Sequence, residues 1–405
     1  MYSALRIPER FSNNKLVVSL SIFLFVLPFS EALKHFAFLL LVLVWLNHLT
    51  KENDKLRLDI LDLIAISIPL LGFVTAALSP FGTIKIAEAN LDSVRLFFLW
   101  FVVRRMRISI HEMFYLWIAA TAGVLFGLVL SAFEFYILKR SVLGELPSVG
   151  HINHSAIYLS FVCAWTLIIT VENRDPKLRF FALLALTFLI FSLFFSGSRG
   201  AIGAFCFFIL IYFLSLIKKI GLVPLLKYSL ITAVIVGAVS LLSPGVYLKQ
   251  DIPGTIRDRV PIWRAAVIAS EQSLLFGTGA GTYKLAVTPE RLKIPGAAAK
   301  SFKAHEHGMS FQAHAHNLFI NWLCERGILA LGLLITFLIA CLLWLWRCAP
   351  FVEIGSHSDL LHRTQKWCGI AAIIIIVIAG IPNTTLHHEH GALAMILLAF
   401  GLKKQ

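Results

Sequence analysis

Phe180 to Ile217 reads FFALLALTFLIFSLFFSGSRGAIGAFCFFILIYFLSLI. Two continuous apolar runs, 180–196 and 201–217, flank the break Ser196-Gly197-Ser198-Arg199-Gly200. Neither run alternates polar with apolar residues, so neither fits a strand of a membrane barrel. Each approaches the roughly 20 residues that carry a helix across the hydrocarbon core. The stretch therefore reads as helix, tight turn, helix through a bilayer. Similar runs occur near 16–30, 32–49, 60–80, 84–103, 110–137, 153–171, 223–243, 326–346, 366–382 and 389–402. Together they predict an all-α integral membrane protein of about twelve spans. The first run lacks a small-x-small cleavage site and is followed at once by another span, so it reads as a span and not as a signal peptide.

Composition agrees. The chain of 405 residues is 58% hydrophobic and only 14% charged, with 33 phenylalanines and a mean hydropathy of +0.82. About a quarter of a soluble domain is charged, so this chain cannot coat a water-facing surface of its size. The net charge of +14 is spread over many short loops, which disfavours a nucleic-acid partner. With the N-terminus taken as cytoplasmic, 20 of the 36 basic residues fall on the inner side, against Lys34, Lys85, Lys139, Arg140 and Arg199 in the short outer loops. That bias predicts both termini in the cytoplasm. The six cysteines lie in or beside spans with no disulfide or metal spacing and read as packing residues.

One connection breaks the pattern. The chain divides into spans over 1–243, a large outer loop over 244–325 and further spans over 326–405. Before His316 the loop holds nine basic residues against five acidic ones, on a side where positive charge is normally sparse. An anionic partner follows: a lipid phosphate, a pyrophosphate, an acidic sugar or membrane headgroups. Arg259-Val-Pro-Ile-Trp263-Arg264 opens a helix, and Trp263 suits a membrane interface or a sugar face. Gly277, Gly279 and Gly281 predict a tight loop whose backbone N–H groups can cradle an anion. His314-Ala-His316-Asn317 then stands where the loop re-enters the membrane. An imidazole there can meet a substrate hydroxyl, or simply be solvated. Arg199, among small neighbours, offers a fork that matches phosphate oxygens. His154, at an outer span start, joins the candidates. Nine of the 14 histidines fall on this side, but without acidic ligands or a His-Glu-x-x-His spacing they predict no metal site.

These features together resemble the bacterial O-antigen ligases, relatives of the O-antigen polymerases and the protein O-oligosaccharyltransferases. The resemblance rests on Ser198-Arg199-Gly200 in a short outer turn, on Arg259-x-x-x-Trp263-Arg264 followed by the glycine stretch, and on His316-Asn317 with Gly327 after nine residues. Ala330 stands where a second glycine would complete the last pattern. The resemblance implies a GT-C-like glycosyltransferase of the bacterial inner membrane with its site facing the periplasm. It implies transfer of a glycan from undecaprenyl pyrophosphate to a lipid A–core sugar, without metal or cofactor and with inversion. His316 is then the base, with His314 as competitor. Arg199 with Arg264 or Arg259 clamps the pyrophosphate, and Trp263, Asn317, Gly279 and His154 line the substrates. An O-antigen polymerase and a transporter or flippase of a lipid-linked sugar are the alternatives. No internal repeat and few intramembrane charges speak for transport.

Overall fold

The computed structural model describes residues 14–52, 58–139, 142–220, 256–292, 309, 312, 314–347 and 357–403. Among them every element is helical: α1 (Asn14–Val26), α2 (Glu31–Glu52), α3 (Ile60–Leu78), α4 (Thr83–Arg105), α5 (Ile110–Phe133), α6 (Ile152–Glu172), α7 (Pro176–Phe195), α8 (Arg199–Ile220), α9 (Ile256–Glu271), α10 (Tyr283–Ala286), α11 (Leu318–Arg347), α12 (His357–Gly380) and α13 (His388–Gly401). A π-helical turn, Glu134–Leu138, extends α5. The expected span 223–243 lies outside the described residues, as do His305 and His307.

Eight of the described helices are long and apolar enough to cross a membrane, and the chain is a multi-pass membrane protein. Three further expected spans are helices of another kind. α1 and α13 have only 13 and 14 residues, and α4 carries Lys85, Glu88, Asp92 and Arg95 in its first half. Start signals are local. Asp59 and Asp62 form a reciprocal capping box on α3, and Ser109 and Glu112 form one on α5. Asp175 caps α7, with Pro176 in its first turn.

α6 and α13 form the centre. Every residue from Ser155 to Ile169 is buried, and so is every residue from Glu389 to Phe400. α5, α8 and α12 pack around them, α7 lies against α6, and α4 lies against α13. The outer helices turn large apolar side chains outward, such as Phe180, Phe181, Phe188 and Phe191 of α7. Such an exposed band fits hydrocarbon and not water.

Each end of the bundle is tied by buried charge. At one end Arg104 reaches from α4 to the Asp59 and Asp62 carboxylates at 2.7 and 2.8 Å and donates to the Leu402 carbonyl. It lies beside the rings of Trp100 and Trp344. Arg105 also pairs with Asp62, so the charges form a network in which each aspartate meets a guanidinium. At the other end the buried Lys34 ammonium pairs with Glu389 of α13 and with Glu31. Arg95 pairs with Asp92 three residues earlier, and Asp92 accepts the His388 N–H at 3.0 Å. This second end carries the histidines.

The re-entry of the large loop differs from expectation in its boundary. α11 starts at Leu318, not near 326, and runs for 30 residues with a break at Gly327 (φ 76°, ψ 176°). The predicted span 326–346 is its second part. The part before the break carries three polar residues, Asn321, Glu325 and Arg326, and all three are buried.

Candidate active site

The Arg199 turn is built by its small residues. Gly197 takes φ 65°, its N–H donates to the Phe194 carbonyl at 3.0 Å, and α8 begins immediately at Arg199. Gly200 presses on the turn after α12. A Cβ there would stand 2.6 Å from Pro382 Cγ and 3.1 Å from the Asn383 amide nitrogen. No larger residue fits without moving that turn. Arg199 itself is exposed.

The His316 segment meets the same turn. The Asn317 side-chain amide donates to the Ile381 carbonyl at 2.9 Å, and its oxygen accepts the Ile320 N–H at 3.0 Å. Asn317 thus caps α11 and docks it on residues 381–383. His316 stands just before the cap at φ 48°, a left-handed conformation that a residue with a Cβ seldom adopts. Its carbonyl accepts from the Arg259 guanidinium at 3.3 Å. Burial pushes the His316 imidazole down to about 4, aided by the charge of Arg259 and by His314 and His151. His314 is more exposed, and burial, Lys284 and His388 lower it too. Both rings are therefore neutral near pH 7 and able to accept a proton.

The two arginines of α9 are not equivalent. Five residues on a helix turn through about 140°, so Arg259 and Arg264 point to different sides. Arg259 is half-buried at His316 and Arg264 is exposed. The Trp263 indole N–H is buried with no hydrogen-bond partner among the described residues.

His154, in the first turn of α6, lies among other histidines. Its ring centroid is 4.9 Å from that of His387 and 5.0 Å from that of His390. His387 Nε2 is 2.7 Å from the Thr384 hydroxyl. Burial holds its imidazole well below the usual range. The turn 381–387 thus touches the Arg199 turn, the His316 segment and the histidine cluster. Among the described residues, no three His, Cys, Asp or Glu side chains are placed to hold a metal ion.

The glycine loop is used differently from the sequence reading. Gly277, Gly279 and Gly281 all take positive φ, as a tight loop needs. However, the Thr278 and Gly279 N–H groups donate to the Cys324 and Glu325 carbonyls at 2.9 and 2.7 Å. The Glu325 carboxyl group accepts the Tyr283 N–H at 3.1 Å. The amides of Thr278 and Gly279 are thus bound within their own chain. Gly279 therefore supports the fold of the site, and the amide it was expected to offer a ligand is already engaged.

Two features escape the sequence reading. The turn 381–387 carries no motif, and only its Pro-Asn-Thr-Thr composition marks it as a turn. Asn321, Glu325 and Arg326 are visible in the sequence, but their burial is not. Arg326 donates to Asn90 of α4 at 2.8 Å and lies over Trp322.

Residues 181–335 match the family model described as O-antigen ligase. The match includes the Arg199 turn, α9, the glycine loop and the chain from His316 to Gly327. No curated protein matches the sequence.

Proposed function

We propose that this chain, a member of the O-antigen ligase family through residues 181–335, moves a glycan from undecaprenyl pyrophosphate to a sugar of lipid A–core. In this reading the protein lies in the bacterial inner membrane with its histidine end in the periplasm and both termini in the cytoplasm. The observation that supports it best is the turn 381–387, against which the Arg199 turn and the His316–Asn317 segment both pack.

Neutral His316 accepts the proton of the acceptor hydroxyl. The oxygen attacks the anomeric carbon from the face opposite the phosphate, so configuration inverts. The bond from carbon to phosphate oxygen breaks, and the pyrophosphate leaves with the electron pair. Arg199 and Arg259 hold the developing charge by charge-assisted hydrogen bonds. Arg264, exposed on α9, meets the donor from the solvent side, with Trp263 behind it. His314 is the second candidate base, and His154 lines the cluster beyond.

The test is reconstitution of purified protein with lipid-linked glycan and lipid A–core. Conjugate is expected, and His316→Ala should abolish it at unchanged expression and monodispersity. A fully active His316→Ala would remove the base assignment. Extension of the lipid-linked glycan without conjugate would mark a polymerase, and passage of the donor across the liposome would mark a transporter.

A further inference from the structure

We infer that Glu325 is a positioning residue for His316, acting through Asn321 and the backbone amide of Ala315. The inference rests on the reading of His316 as the base and deepens it.

The link is continuous. The Ala315 N–H donates to Asn321 Oδ1 at 3.3 Å. Asn321 Nδ2 donates to Glu325 Oε2 at 3.1 Å. Glu325 Oε1 accepts the Tyr283 N–H at 3.1 Å. Asn321 and Glu325 are four residues apart and share a face of α11, and both are buried. Two N–H donors converge on one carboxyl group, one to each oxygen.

The direction of every bond is thereby set. Asn321 turns its amide nitrogen towards Glu325, which accepts from it. Its oxygen then faces Ala315, whose N–H it receives. That peptide immediately precedes His316. The His316 carbonyl is held by Arg259, and the next residue caps α11. A backbone at φ 48° in a non-glycine residue persists only where its surroundings over-determine it. The Glu325–Asn321 pair supplies the restraint on the N-terminal side.

The polarity of this chain provides a test. Glu325→Gln keeps size but opposes an amide N–H₂ to that of Asn321. Asn321→Asp opposes two carboxylates. The double variant Asn321→Asp/Glu325→Gln reverses the pair and lets every donor meet an acceptor again. Misplacement of a catalytic group by about 1 Å can cost 10²-fold in rate. Each single variant is therefore expected to lower kcat by about 10- to 100-fold with little change in KM, and the double variant to recover most of it. Hydrogen–deuterium exchange at the Ala315 amide should quicken in Glu325→Gln and slow again in the double variant. A Glu325→Gln protein with wild-type kcat and a protected Ala315 amide would overturn the inference, as would a double variant no better than its parents. An inactive His316→Ala beside a fully active Glu325→Gln overturns this inference alone. An active His316→Ala overturns both readings.

Discussion

At the residue scale, the proposed chemistry turns on how one imidazole stays neutral. As a candidate, His316 was legible in the sequence, because His-Asn with a glycine nine residues on stands at the end of the long loop. The choice between Arg259 and Arg264 was not legible. It depends on which side of α9 faces His316, and spacing along the chain does not reveal that. Arg259 is the cation at His316, and its charge is the second cause, after burial, that lowers the imidazole. Arg259→Gln removes the charge and leaves a side chain able to donate to the His316 carbonyl. The imidazole should then rise from about 4 towards its ordinary value near 6.5. A base works only when deprotonated, so the acid limb of the kcat/KM profile should move to higher pH. The height of the profile also falls if Arg259 binds the donor, so the position of the limb decides. A limb that stays in place would show that the guanidinium does not act on the ring.

At the element scale, α11 shows what a hydropathy pattern reads and what it misses. The apolar part after Gly327 announces itself in the sequence. The part from Leu318 to Arg326 reads as loop because Asn321, Glu325 and Arg326 are costly to bury alone. In the fold they are buried with partners on α4 and in the glycine loop, contacts that local sequence does not encode. The same loop makes Gly327 indispensable. A Cβ there would stand 2.2 Å from the Leu275 carbonyl oxygen, on a backbone of φ 76° and ψ 176° open essentially to glycine alone. Gly332, one and a half turns later, has nothing within 4 Å of its would-be Cβ. Gly327→Ala should therefore lower Tm in detergent by several degrees or prevent recovery of folded protein. Gly332→Ala should leave Tm unchanged or raise it, since alanine is the better helix former by up to about 1 kcal/mol. Equal Tm values for the two variants would show that α11 does not break against the loop.

At the scale of the whole molecule, the apolar pattern announced the bundle but not its centre. α13 is too short to span alone, and it lies at the centre because α4, α6 and α12 bury it. The turn 381–387 before it falls beyond the matched stretch 181–335, so the site depends on chain that the family match does not include. Of the two ends of the bundle, the second carries the histidine cluster. At the second, His314, His316 and His387 are held below the ordinary histidine value, with burial the largest cause for each. A histidine whose folded value is depressed binds its proton more readily in the unfolded chain. Its contribution to stability is complete above the ordinary value near 6.5 and is lost as pH falls through the folded value, about 4 for His316. Tm should thus be level between pH 7 and 8 and decline below 6.5. His316→Gln, which removes one titrating group, should flatten that decline without changing the plateau slope. A Tm independent of pH from 7 down to 4.5 would mean that these rings are solvated, and that the histidine end is open where the fold closes it.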